Sequence, residues 1–213
     1  MTEAQLIALV YGCIGFVVVA AVMLPSYALV DYVRRGAVDL RRMIAVGAFL
    51  LYCCLAVAVV VFPLPGPTTP PLEQTVQLVP LQWIEDVGTE MRKYGLAPTL
   101  LNAVSTQTFQ QAMLNVALFV PLGMFLRLVW RKGLRSTVKT GALVSFTVEI
   151  TQLTANFGTA PMVYRVFDVD DLLTNTAGAF LGWLLAAAVL RRNRKDALAD
   201  TRRMLVPAAT AAR

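Results

Sequence analysis

Apolar residues run almost unbroken over residues 6–30, and a second run covers 43–62; each is long enough to cross the hydrocarbon core of a bilayer as a helix. Three more follow at 109–130, 140–156 and 172–190, the fourth being short and containing Glu149. Between the second and third the pattern breaks. PLPGPTTPP after Phe62 stops a helix, and from residue 63 to 108 the chain is less apolar, carrying Glu73, Glu85, Asp86 and Glu90 against Arg92 and Lys93. Within this stretch QLVPLQWIEDVG sets Trp83 between apolar and acidic neighbours, which suits a short interfacial or re-entrant element. A connection of this length is expected to hold structure of its own or to bind something.

The pattern predicts an all-α, polytopic membrane helix bundle of about five transmembrane helices. Residues 1–62 would form two N-terminal spans with a basic loop between them, 63–108 an extracytoplasmic loop, 109–190 a three-helix core and 191–213 a basic tail. Charge sets the orientation. If the helices alternate, Arg34, Arg35, Arg41 and Arg42 share one side with Arg127, Arg131, Lys132, Arg135 and Lys139, and with the basic residues after Leu190, up to Arg213. Arg92, Lys93 and Arg165 fall on the other. An excess of Lys and Arg marks cytoplasmic loops, so the N-terminus is expected outside and the C-terminus inside. The tail reads as an amphipathic or disordered segment near anionic lipid headgroups.

Composition agrees: 57% of the 213 residues are hydrophobic, 15% are charged and the mean hydropathy is +0.64, outside the balance of a soluble domain. The net charge of +6 lies in short clusters between apolar runs, so topology explains it better than a nucleic-acid partner. Histidine is absent, which removes His-based triads, metal sites and proton switches. Cys13, Cys53 and Cys54 lie within apolar runs and read as buried, inert thiols. MTEAQ carries no base and the run behind it outlasts a signal core, so a retained helix is expected.

The candidate chemistry lies in polar residues embedded in the last three runs. From Arg165 to Gly182 the chain reads RVFDVDDLLTNTAGAFLG; as a helix it would place Asp168, Asp171, Asn175, Gly178 and Gly182 on one face, polar above and small below. Lipid does not tolerate the polar half, so the face should meet other helices, its glycines admitting a close neighbour or a second copy of the chain as a homodimer. Gln107, Gln111 and Asn115 recur every four residues ahead of Pro121, and Ser145, Glu149, Gln152 and Asn156 form another polar stripe. In the proposed topology Asn115, Glu149, Gln152, Arg165, Asp168, Asp170, Asp171 and Asn175 all fall toward the outer half of the bilayer. Asp168 or Asp170 is expected to cap the fifth helix.

Three readings follow from that set. The residues would form an outward-facing polar pocket for a lipid headgroup, with Arg165 on a phosphate or carboxylate and the amides of Asn115, Gln152 and Asn175 hydrogen-bonding. Alternatively they would serve an intramembrane enzyme acting on a lipid-linked substrate. In that case Glu149 with Asp168 or Asp171 would be acid and base, or Asp168, Asp170 and Asp171 would hold Mg2+ or Ca2+ through oxygen ligands. On the third reading they hold the helices together in a structural scaffold of an envelope complex.

Three motifs carry a resemblance: Asn115-x3-Phe119-x-Pro121-x-Gly123, Glu149-x-x-Gln152, and Arg165-x-x-Asp168-x-Asp170-Asp171-x3-Asn175-x-x-Gly178-x3-Gly182. In order and spacing they resemble the VanZ-like family of bacterial membrane proteins, and Gln77-Leu-Val-Pro80-Leu81 is a weaker match to a further family segment. The likeness extends from about Val76 to Leu185. It implies a multi-pass protein of the bacterial cytoplasmic membrane, and a role in the cell envelope. The name-giving member confers low-level resistance to the lipoglycopeptide teicoplanin without altering the peptidoglycan precursor. Membrane lipid, a lipid-linked envelope precursor or a lipoglycopeptide are the partners it suggests.

Overall fold

The computed structural model describes residues 3–62, 64–66 and 68–210, with side chains described from Leu6 to Arg194 within those ranges. It is almost wholly helical: α1 (Glu3–Arg35), α2 (Leu40–Val61), α3 (Gln82–Lys93), α4 (Leu100–Ser105), α5 (Gln107–Leu128), α6 (Leu134–Leu153), α7 (Ala155–Gly158) and α8 (Val169–Thr210). Two short strands, β1 (Val76–Gln77) and β2 (Phe167–Asp168), pair in parallel.

α1 and α2 form an antiparallel hairpin. The chain turns at Gly36, whose φ of +71° favours glycine, and Asp39 starts α2 by accepting the Arg41 and Arg42 amide protons at 3.0 and 3.4 Å. Large apolar side chains such as Val17, Val18, Val33 and Ile44 stay exposed on this hairpin, as on a lipid-facing surface. Cys13 is on that exposed face rather than buried, Cys53 and Cys54 are half-buried, and all three are free.

Four helices are long and apolar enough to cross a membrane: Leu6–Arg35, Leu40–Val61, Gln107–Leu128 and Val169–Arg194. α6, at 20 residues, is nearly as long as α2 and α5 but carries Arg135, Lys139 and Glu149, and its place in the fold comes from its neighbours. Asn115 meets Asp171 and Val120 meets Gly182, so α5 and α8 run parallel. Ser145 meets Asp171 and Gly141 meets Ala179, so α6 runs antiparallel to α8. α6 therefore returns the chain through the depth that α5 and α8 occupy, making an all-α membrane bundle of five long helices. The loops 36–39 and 129–133 and the segment around Arg191 to Arg194 gather at its basic end.

The centre of the bundle is the seam between α5 and α8, where Phe119, Leu122, Leu126 and Ala179 are buried together. Backbones meet there. A methyl on Gly178 would overlap the Val116 carbonyl, and one on Gly182 the Val120 carbonyl. The glycine face that could have received a second copy is thus filled by α5 of the same chain, and a homodimer could use it only by displacing α5. Pro121 lies inside α5 without ending it.

At the other end, residues 154–168 and 68–106 cover the helix termini. Glu90 of α3 caps α5, its carboxylate accepting the Gln107 and Thr108 amide protons at 2.8 and 3.0 Å. The segment read from sequence as a fourth span ending at 156 instead leaves α6 at Leu153 and turns through left-handed backbone at Ala155, Asn156 and Phe157. The helical backbone of α8 extends to Thr210; the side chains of the basic tail beyond Arg194, and residues 211–213, lie outside the described residues.

Candidate functional site

A cavity of about 690 Å3 opens at the end of the bundle away from the basic loops. Asn115 of α5, Glu149 and Gln152 of α6, Arg165 and Asp168 of the following segment, and Asp171 and Asn175 of α8 all line it. Its opposite wall is apolar, with Val59, Val60 and Phe62 from the end of α2 and Leu114 and Leu118 from α5.

Each polar side chain is placed by a nearby structural reason. Glu149 is 1% exposed, and its Oε2 accepts the Asp168 amide proton at 3.0 Å, so the α6 carboxylate anchors β2. Asp171 Oδ1 accepts from Asn115 Nδ2 at 2.6 Å across the α5–α8 seam. Asn175 Nδ2 donates to Ser145 Oγ at 3.0 Å, tying α8 to α6, while its Oδ1 is buried without a partner. Gln152 is 6% exposed and neither end of its amide bonds to a described residue, so its hydrogen-bonding capacity faces the cavity.

Arg165 closes the rim. One terminal nitrogen donates to the Val59 and Phe62 carbonyls at 3.1 and 3.0 Å, where a cation is favoured by the unpaired carbonyls at a helix C-terminus. Tyr164 beside it donates to the Val61 carbonyl and accepts from Asn156 Nδ2, both at 2.7 Å. Tyr164 carries no signal of its own in the sequence beyond adjacency to Arg165. Burial pushes the Arg165 guanidinium below its ordinary value, without bringing a guanidinium near neutral pH. Among the described residues the ion pairs are Arg35 with Asp31 and Arg42 with Asp39, so no carboxylate neutralises Arg165 at contact distance.

The three aspartates diverge. Asp168 stands in β2, ahead of α8 rather than on its face; its Oδ1 accepts the Asp170 amide proton at 2.8 Å and so caps α8. Burial raises its carboxyl above the ordinary range, opposed by that amide and reinforced by the neighbouring Asp170 charge. Asp170 does not line the cavity. The residue is buried, at 3% exposed, and its carboxylate accepts the amide protons of Leu81 and Trp83, the latter at 3.0 Å. It thereby pins the start of α3, including Leu81 at a φ of +64°, to the start of α8. Asp171 points to Asn115 and the cavity. Among the described residues no three acidic or sulfur side chains converge in a way that could hold a metal ion, and the 168, 170 and 171 set is separated by the capping duty of Asp170.

The Gln77 to Leu81 segment and the Arg165 to Asp171 segment are thus physically joined, through the β1–β2 pairing and through Asp170. Chemically the cavity offers one guanidinium, three carboxylates and several amides next to an apolar wall. That composition suits the head and first chain atoms of an amphiphile.

A protein-family model described as VanZ/LLP1 matches residues 49–191. No protein of curated function and no solved structure matches the chain. The matched stretch holds every polar residue of the cavity and leaves out α1 and the first part of α2.

Proposed function

The chain belongs to the VanZ/LLP1 family, and from that premise we propose that it binds an amphiphile of the bacterial envelope, with the polar head in the cavity and the chain along α2 and α5. The observation that carries this is Arg165: a guanidinium on the rim of a cavity of about 690 Å3, fixed to backbone carbonyls on one side and paired with no carboxylate among the described residues. A phosphate or carboxylate is the group it would take, and such pairs are strong where water is scarce. In this reading the basic end faces the cytoplasm, the cavity faces outward in the bacterial cytoplasmic membrane, and the ligand is a membrane lipid, a lipid-linked envelope precursor or a lipoglycopeptide such as teicoplanin.

The test has two arms. Native mass spectrometry of the protein released from its own membrane should find a lipid adduct that Arg165→Gln loses at equal protein level. A deletion strain complemented with wild type should regain teicoplanin tolerance, vancomycin serving as control, and Arg165→Gln should not restore it. An adduct retained in full by Arg165→Gln would end this reading.

Acid–base chemistry on a lipid-linked substrate is supported by one further arrangement, Glu149 and Asp171 facing the same cavity with oxygens to spare. Turnover of a lipid-linked precursor that Asp171→Asn abolishes, with binding intact, would select it.

A further inference from the structure

The carboxyl groups of the cavity leave uncommitted oxygens on three different elements. Glu149 uses Oε2 for the Asp168 amide, Asp171 uses Oδ1 for Asn115 and Asp168 uses Oδ1 for the Asp170 amide. The second oxygen of each carboxylate accepts from no described residue. Asn115 gives its Nδ2 away and keeps its carbonyl oxygen, which adds another acceptor. Against these stand the remaining N–H groups of Arg165 and the unused amide of Gln152.

A simple phosphate head would satisfy Arg165 and leave the second oxygens of the Glu149, Asp168 and Asp171 carboxyl groups without a partner. Those oxygens need a ligand that brings donors. The acceptors come from four elements, Asn115 on α5, Glu149 on α6, Asp168 on β2 and Asp171 on α8, so they reach the cavity from several directions rather than from one helix face. An ammonium radiates its three N–H bonds from one atom, whereas a sugar ring presents hydroxyls around its rim. Hydroxyls also both donate and accept, so the Gln152 amide can be matched at both ends.

We propose that the head group taken by this cavity is a sugar joined to its lipid through an anionic linkage, the hydroxyls bonding Glu149, Asp171, Asn115 and Gln152 and the anion bonding Arg165. This rests on the reading of the cavity as an amphiphile site and narrows it to glycosylated phospholipids of the polyprenyl-phosphate type or their equivalents. Val59, Phe62 and Leu118 then flank the first atoms of the chain.

The test uses the full chain in phosphatidylcholine nanodiscs with four probes: a polyprenyl phosphate bearing a hexose, the same polyprenyl phosphate without sugar, an alkyl glucoside, and phosphatidylethanolamine. The sugar phosphate should bind about tenfold or more tightly than the bare phosphate, the scale of one or two well-made hydrogen bonds to charged groups. Arg165→Gln should weaken both phosphate probes, and Gln152→Met should reduce only the preference for the sugar. Equal affinity for the two phosphates overturns the sugar assignment and leaves the amphiphile site standing. Tighter phosphatidylethanolamine binding overturns it in favour of an ammonium head. If Arg165→Gln binds every probe like wild type, the amphiphile site itself is wrong. The wild-type comparison needs no variant, so a Gln152→Met protein that fails to fold does not spare the proposal.

Discussion

Glu149 shows how closely structure and chemistry are joined at single positions. Its side chain is 1% exposed, and one oxygen holds the Asp168 amide while the other faces the cavity. Removing the acceptor leaves the part-buried Asp168 N–H without its partner, which costs up to about 1–3 kcal/mol. Glu149→Ala should therefore lose stability on that scale in a denaturation series, and Glu149→Gln, which keeps an acceptor oxygen, should stay near wild type. A glutamine variant as unstable as the alanine one would mean that the charge, not the hydrogen bond, holds this corner. Asn115, Glu149, Gln152 and Asn175 were legible because polar groups inside apolar runs stand out against a membrane, and Arg165 and Asp171 because they form a dense charge cluster just ahead of the last run. Asp168 was named too, though on a helix face it does not occupy. Asp170 was named with them as well, but it turns away from the cavity to the start of α3. Its partners, Leu81 and Trp83, are backbone amides almost 90 residues earlier, and an amide proton leaves no mark in the sequence.

Among the elements, α5 depends on a residue outside its own span. Its first amides are satisfied by Glu90 from α3, and those bonds, to Thr108 first and Gln107 next, hold the Glu90 carboxyl below the ordinary glutamate range. A group with a lowered folded value stabilises fully above its unfolded value of about 4.3, and that stabilisation disappears as pH falls through the folded value. Wild type should accordingly unfold at a higher temperature than Glu90→Gln at neutral pH, with the gap closing on acidification below pH ~4. A gap constant from neutral to acid would show that the carboxylate charge does not cap α5. Long apolar runs made α1, α2, α5 and α8 legible in the sequence, since hydrophobic length is the signal a bilayer imposes. The ends were less so. α6 stops at Leu153 because the chain turns through left-handed backbone after it, and α3 starts at Gln82 because Asp170 pins it; both causes are tertiary.

For the whole molecule the question is whether α6 crosses. By composition it falls short of its neighbours, carrying Arg135 and Lys139 in its first half and Glu149 in its second. Those charges sit where a crossing helix can bear them: the two cations lie at the basic end, and the acid faces the cavity rather than lipid. The parallel packing of α5 and α8 adds a topological argument, because two parallel helices in one layer need a return through the same depth. The sites Ala37 and Gly133 should then share one side, and Ala97 and Thr159 the other. All four are exposed. With Cys13, Cys53 and Cys54 replaced, single cysteines at Ala97 and Thr159 should react with a membrane-impermeant maleimide in intact cells. Cysteines at Ala37 and Gly133 should react only after permeabilisation. Labelling of Gly133→Cys and Thr159→Cys from the same side would mean that α6 does not cross. The polar wall of the cavity would then lie at the surface, where water competes for every hydrogen bond that Arg165, Glu149 and Asp171 have to offer.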